Sequence, residues 1–211
     1  MYLYSTSVRG GLVDPAKVAQ WAVSLTQKIN QISEVPTALW TSAMSPGMGM
    51  FAFTAVVRDF AQIEATETKL AADPGYATLV QQGIGLLSAD PVDQLLMQLV
   101  HGDRDAASID AQYAQTVRAT VAPGAMEKGI ELGVDLAQRV KKITGRPTSF
   151  AVGVTGDYGS VMWVSLAENI QQLQAATEAL NADRDFARAV DHDASKAYLP
   201  GATQTMTRKV A

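Results

Sequence analysis

The 211-residue chain contains no cysteine. Disulfides, thiolate metal sites, iron–sulfur clusters and cysteine nucleophiles are therefore excluded. Histidine is nearly absent: His101 and His192 are the two present, too few for a poly-histidine metal centre. Basic residues are in deficit, with 17 Lys and Arg against 21 Asp and Glu and a net charge of −4. That balance lacks the basic stripe of a nucleic-acid binder, so no nucleic-acid partner is expected. No apolar run approaches the ~20 residues of a membrane span. The opening Met-Tyr-Leu-Tyr-Ser-Thr-Ser-Val-Arg lacks the basic segment and apolar core of an export signal. A cytoplasmic protein without a membrane span is the expectation. Walker loops, zinc spacings, EF-hand loops and a Ser/His/Asp set are missing as well. Gly47-Met-Gly49 is followed by no third glycine and leads into a strand pattern, so it is no dinucleotide fingerprint.

What is present is an apolar fraction of 47% beside only 18% charged residues, enough for a sizeable core. The chain also repeats itself. Tyr4-Ser-Thr-Ser-Val8-Arg9 matches Tyr113-Ala-Gln-Thr-Val117-Arg118, and Pro36-Thr37 matches Pro147-Thr148. Leu25 pairs with Leu136, Lys28 with Arg139 and Ile32 with Ile143. Further along, Gly49 pairs with Gly159, Phe53 with Trp163, Gln62 with Gln172, Asp73 with Asp183 and Tyr76 with Phe186. The offset stays between 109 and 111 throughout. Two copies of one unit are expected, at 1–101 and 110–211, joined by a polar linker at 102–109.

Each copy reads as strand, helix, strand, strand, helix, strand. First strands fall at Tyr2–Arg9 and Tyr113–Val121. Asp14-Pro15 is an N-cap followed by Pro at the first helical position. Val18, Trp21, Ala22, Leu25, Ile29 and Ile32 then recur at helical spacing. The matching helix uses Ile130, Val134, Ala137, Val140 and Ile143 and stops at Gly145. Hairpins join Ala38–Ala43 to Met50–Val57, and Ser149–Val154 to Ser160–Leu166. Helices over 60–70 and 170–180 meet Asp-containing breaks, continue as short helices over 76–82 and 186–193, and lead to last strands at 94–100 and 204–210.

This order is the split βαβ, or ferredoxin-like, unit, a four-stranded sheet with helices on one face. The bare face must be covered, and two copies can cover each other. The expected fold class is α+β: two tandem ferredoxin-like repeats packed sheet face to sheet face as one pseudo-dimeric barrel. In element order and repeat length the chain resembles the dimeric α+β barrel superfamily in a fused form, similar to its antibiotic-biosynthesis-monooxygenase-like and NIPSNAP-like members. The resemblance implies a barrel that binds a small apolar or anionic molecule, with cofactor-independent monooxygenase-like chemistry as its enzyme form. Such chemistry needs an acidic substrate, a base and an apolar pocket. The alternative is a non-catalytic structural or partner-binding protein using the barrel for assembly. A fused pair is expected as a monomeric pseudo-dimer or a homo-oligomer. Small haem-degrading members carry a histidine and a tryptophan on the second helix and an asparagine on the first strand. His192 falls near that histidine. The tryptophan is missing, Gln115 and Thr116 stand on the first strand without an asparagine, and Gln82 sits opposite His192 in the first copy. No cofactor, haem included, is expected.

Among residues that carry chemistry, His192 lies between Asp191 and Asp193, and a carboxylate can orient an imidazole for acid or base work. It is the candidate catalytic base. Neighbours one residue apart on a helix do not face each other, so a solvated surface histidine is the competing reading. Arg9 and Arg118 hold matching strand positions and are ligand-binding candidates for an anion, against plain strand-end pairing. Trp40, Trp163 and Tyr158 lie on or beside the hairpins as candidates for a flat ligand, against ordinary core packing. Met44 to Met50 forms a Met- and Gly-rich hairpin tip, an adaptable contact surface or a plain turn. The segments 84–91 and 194–201 are candidates to lie over a pocket mouth or at an oligomer contact. No metal site is expected.

Overall fold

The computed structural model describes residues 1–11, 14–44, 49–90, 92–102 and 111–211. Most of the Met-rich hairpin tip (45–48), nearly all of the expected linker (103–109) and Pro91 lie outside the described residues. Eight strands, β1 (Tyr2–Arg9), β2 (Thr37–Ser42), β3 (Met50–Val57), β4 (Asp93–His101), β5 (Tyr113–Thr120), β6 (Thr148–Gly153), β7 (Ser160–Ala167) and β8 (Thr203–Lys209), alternate with helices. These are α1 (Pro15–Ile32), α2 (Phe60–Ala71), α3 (Pro74–Ile84), α4 (Met126–Thr144), α5 (Ile170–Ala182) and α6 (Arg184–Arg188). The strands follow one another in the closed order β1-β3-β2-β8-β5-β7-β6-β4, so the fold is the expected α+β barrel. None of the described helices is long and apolar enough to cross a membrane.

Two compact units emerge, Met1–Leu96 with Thr207–Ala211, and Met97–Met206. Each takes its last sheet edge from a distant part of the chain. In the first unit, β1 and β2 flank β3, and the free edge of β2 pairs with the chain end: Trp40 opposite Lys209, Thr41 opposite Arg208, Ser42 opposite Thr207. In the second unit β5 and β6 flank β7, and β6 pairs with Met97–His101, with a register break between Leu99 and His101.

Local chemistry sets the helix ends. Asp14 Oδ1 accepts from Lys17 N at 3.1 Å, with Pro15 at the first position of α1. Asp59 Oδ1 accepts from Gln62 N at 2.9 Å while Gln62 Oε1 accepts from Arg58 N at 2.8 Å. The second unit repeats this with Asn169 accepting from Gln172 N and Gln172 accepting from Glu168 N. Asp73 and Asp183 cap α3 and α6 the same way, each accepting at 2.8 Å from the N–H of Tyr76 or Phe186. Gly145 ends α4 at φ +69°, where its N–H reaches Lys141 O at 2.8 Å; that left-handed turn is why glycine stands there.

One face of each sheet packs against helices. In the first unit Val8, Leu39, Phe51 and Phe53 pack against Val18, Trp21, Ala22 and Leu25 of α1. Strand alternation then turns Trp40 and Thr54 to the opposite face, where Trp40 Nε1 donates to Thr54 Oγ1 at 2.9 Å. Helix α3 crosses above Trp21, whose Nε1 donates to Leu79 O at 2.8 Å. In the second unit Phe150, Val161 and Trp163 meet Leu136 and Ala137 of α4, together with Tyr198. Here the tryptophan is on the strand, Trp163 Nε1 donates to Gly133 O at 2.8 Å, and its ring meets Tyr198 edge-on at 5.4 Å.

The segments after α3 and after α6 tie back to first-strand ends rather than standing free. Gly11 N donates to Leu86 O and Ser88 N to Arg9 O. In the second unit Ala122 N donates to Ala197 O and Leu199 N to Thr120 O.

Candidate functional site

On the helix side of the first unit, β1 ends its apolar row with two tyrosines. Val8 is in the core; Tyr4, four residues earlier on the same face, meets polar groups instead. The Tyr4 hydroxyl donates to Glu67 Oε1 of α2 at 3.1 Å and accepts from Gln94 Nε2 of β4 at 3.3 Å. Tyr76 of α3 stands close enough for the Glu67 charge to act on it. Burial pushes the Tyr4 phenol above its usual value, and the neighbouring Glu67 carboxylate adds to the rise. The Tyr76 phenol is raised by the same two causes in the same order. The result is an exposed carboxylate, Glu67, beside two half-buried phenols that hold their protons at neutral pH. Among the described residues, neither Glu67 Oε2 nor the Tyr76 hydroxyl has a hydrogen-bond partner. A carboxylate oxygen left open, with its mate fixed by a phenol, is an arrangement that accepts a proton from an acidic ligand.

The residues singled out from sequence are dispersed. His192 sits in a single π-turn at Ala189–Asp193, with its side chain 66% exposed. Asp193 Oδ1 lies 3.0 Å from its Nδ1 and Lys196 Nζ 2.9 Å from its Nε2. The lysine can only donate, so Nε2 is the accepting nitrogen and Nδ1–H faces Asp193. The Asp193 carboxyl is held below its usual value by that hydrogen bond. With Lys196 standing where an iron would bind, His192 does not fit a haem ligand. Arg9 is exposed and pairs with Asp90 at 3.5 Å in the first unit; Arg118 is an exposed residue of β5 in the second. Trp40 faces away from the helices, whereas Trp163 is buried against them. Tyr158, at the β6–β7 turn, is 92% exposed.

An open cleft of about 270 Å³ also lies in the first unit, between Val35 and the start of α2. Glu34, Arg58, Asp59 and Lys69 give it charged walls, and Lys69 Nζ is paired with Glu34 Oε1 at 2.9 Å. Those walls do not suit a flat apolar ligand.

Glu67, Tyr76 and Gln94 carry no local motif. For Glu67 and Tyr76 the signal is difference, not likeness, between the copies, whereas Gln94 meets an identical Gln204. At the offset of 110, Glu67 meets Thr177 and Tyr76 meets Phe186.

No family model and no curated protein sequence matches the chain. Solved structures do. A proposed monooxygenase from Fusobacterium nucleatum subsp. nucleatum superposes with a TM-score of 0.71 at 6% identity, over 100% of this chain and 92% of its own. An anthrone oxidase-like protein gives 0.70 at 10% identity, over 100% and 91%. A proposed monooxygenase from Lactobacillus acidophilus gives 0.66 at 9% identity, over 99% and 93%. At such identities the likeness is one of fold.

Proposed function

Taking as premise that the chain has the dimeric α+β barrel fold, the fold of these monooxygenase-like structures, we propose that it binds a small, mainly apolar molecule bearing an acidic hydroxyl and oxygenates it without a cofactor. The observation that carries this reading is the Tyr4–Glu67–Gln94 cluster, with Tyr76 beside it. Glu67 accepts the substrate proton; Tyr4 and Gln94 fix the carboxylate and the ligand's polar edge. An activated ring CH₂, once deprotonated, is electron-rich enough to be oxidised by O₂ itself. Both C–H bonds break, one oxygen atom becomes the new C=O, and the other leaves as water. In this reading His192, its two ring nitrogens taken by Asp193 and Lys196, is not the base, and Arg9 and Arg118 act on the approach of an anionic ligand. The protein is cofactor-free and cytoplasmic, with copies 1–101 and 110–211 joined through 102–109.

The test is oxygen uptake with anthrone, whose enol tautomer carries the hydroxyl, as probe, and product mass for gain of one oxygen and loss of two hydrogens. Equimolar uptake that falls at least tenfold in Glu67→Gln supports the reading. Uptake no faster than the buffer background, from protein that also carries no ligand in native mass spectrometry, overturns it. A second reading, a non-catalytic assembly module, is favoured by the exposed Val80 and Ile84 on α3, 40% and 68% accessible. An assembly mass that persists on dilution, with no ligand and no uptake, selects it.

A further inference from the structure

Among the described residues the cluster occurs once. Positions matched at the offset of 109 to 111 put Tyr113 at Tyr4 and Gln204 at Gln94, so half the constellation is present in the second unit. The decisive half is missing. Thr177 stands where Glu67 does, and its hydroxyl is committed to Leu173 O of its own helix at 3.0 Å. Phe186 stands where Tyr76 does, without a hydroxyl, and packs against the core cluster of Trp163 and Tyr198. The second unit therefore has neither an open carboxylate oxygen nor a second phenol at this place.

Other differences point the same way. Val35 of the first unit corresponds to Arg146, which is 5% exposed and bonds two carbonyls of β7: Nε to Leu166 O at 2.8 Å and Nη2 to Ser165 O at 3.0 Å. Ala55, opposite Tyr4 on β3, corresponds to Ser165, whose hydroxyl is bonded to Thr148 Oγ1 at 2.9 Å. In the second unit these polar groups are used up on backbone and on each other, the pattern of a structural core. In the first, Glu67 Oε2 and the Tyr76 hydroxyl remain open.

We infer that the duplication is functionally asymmetric: the first unit holds the sole ligand site of the chain, read out by Glu67 and Tyr76, and the second unit is its structural counterpart. This rests on the functional reading above and adds its stoichiometry, its location and the ligand class. The class is a hydroxyaromatic molecule whose O–H donates to Glu67 Oε2 and accepts from Tyr76.

The probe is 2-naphthol, whose emission separates a neutral hydroxyl from one bonded to a strong acceptor. Titration into the full-length protein is expected to give one equivalent bound. Glu67→Gln and Tyr76→Phe are each expected to weaken binding at least tenfold, and Thr177→Ala is expected to change it less than twofold. The double variant Thr177→Glu with Phe186→Tyr is expected to gain a second equivalent. Circular dichroism establishes that each variant is folded. If the double variant does not fold, the wild-type and three single-variant titrations decide. Two equal sites in the wild type, or a loss on Thr177→Ala equal to that on Glu67→Gln, overturns the asymmetry while leaving a binding protein. No binding by the wild type overturns the functional reading, and the asymmetry with it.

Discussion

Gly133→Ala sets two physical effects against each other, and their sizes decide the outcome. Gly133 lies inside α4, where alanine is worth about 1 kcal/mol more than glycine in helix propensity. A methyl added there would stand 2.2 Å from Phe150 Cζ and 2.4 Å from its Cε2. Phe150 is fully buried, its ring 5.1 Å from that of Trp163, so it has nowhere to move without displacing a second ring. Overpacking of this kind costs about 1–3 kcal/mol. Trp163 Nε1 also donates to the Gly133 carbonyl, and prising α4 from β7 puts about another 1 kcal/mol at risk. The balance is a net loss of about 2 kcal/mol. For a chain of this length that is a fall in melting temperature of about 4–8 °C. Thermal and urea unfolding followed by circular dichroism measures it, and Trp163 emission reports the local repacking. Gly85→Ala is the control: an added methyl there meets nothing within 4 Å and the backbone is already right-handed, φ −82°. Its expected effect is null or slightly stabilising. A Gly133→Ala protein as stable as the wild type, with unchanged tryptophan emission, would refute the claim that Phe150 and Trp163 require this close approach.

Glu67→Gln removes a charge and replaces a carboxylate acceptor with a weaker amide oxygen, so the Tyr4 titration is expected to move down toward the ordinary tyrosine value while staying above it because burial persists. Difference absorbance on raising the pH, with Tyr4→Phe identifying the transition, reads this; no movement would disprove the contact. The Asp73 carboxyl is lowered by the Tyr76 N–H and by Lys28, whose Nζ lies 3.0 Å away. Its stabilisation is therefore complete above the usual carboxylate range, about pH 4, and is lost as the pH falls through the lowered value. Asp73→Asn is expected to lower stability at pH 7, and the gap from wild type to close in acid; a gap independent of pH would count against the ion pair. The Tyr198 hydroxyl donates to Gly129 O in the core of the second unit. Tyr198→Phe removes that bond from a carbonyl already within the α4 ladder, at a cost of about 1 kcal/mol, measured by urea unfolding, and a neutral result would show that the bond contributes nothing to stability.

Sequence by itself determined the element order, because many of the boundaries are enforced within a few residues. Asp14-Pro15 opens α1 and Gly145 closes α4 by hydrogen bonds to their own neighbours. Beginnings such as Tyr2, Met50 and Ser160 fall where alternation places them, since a strand advertises itself through period-two burial. The recurrence of that order also made the α+β barrel legible. What tertiary structure alone decided was which face of each strand meets a helix and which residues meet across the fold. Leu39 and Trp40 are equally apolar neighbours, and only the pairing of β2 with β3 and the docking of α1 turn the first inward and the second away. The last strand shows the same limit: Thr207–Ala211 completes a sheet begun more than 150 residues earlier, a pairing that no local pattern encodes. The candidate site is of this non-local kind. Tyr4, Glu67, Tyr76 and Gln94 come from a strand, two helices and another strand, and none carries a local motif. A histidine between two aspartates is conspicuous because its neighbours are close in sequence. The carboxylate that stands beside two phenols has neighbours that are close only in space.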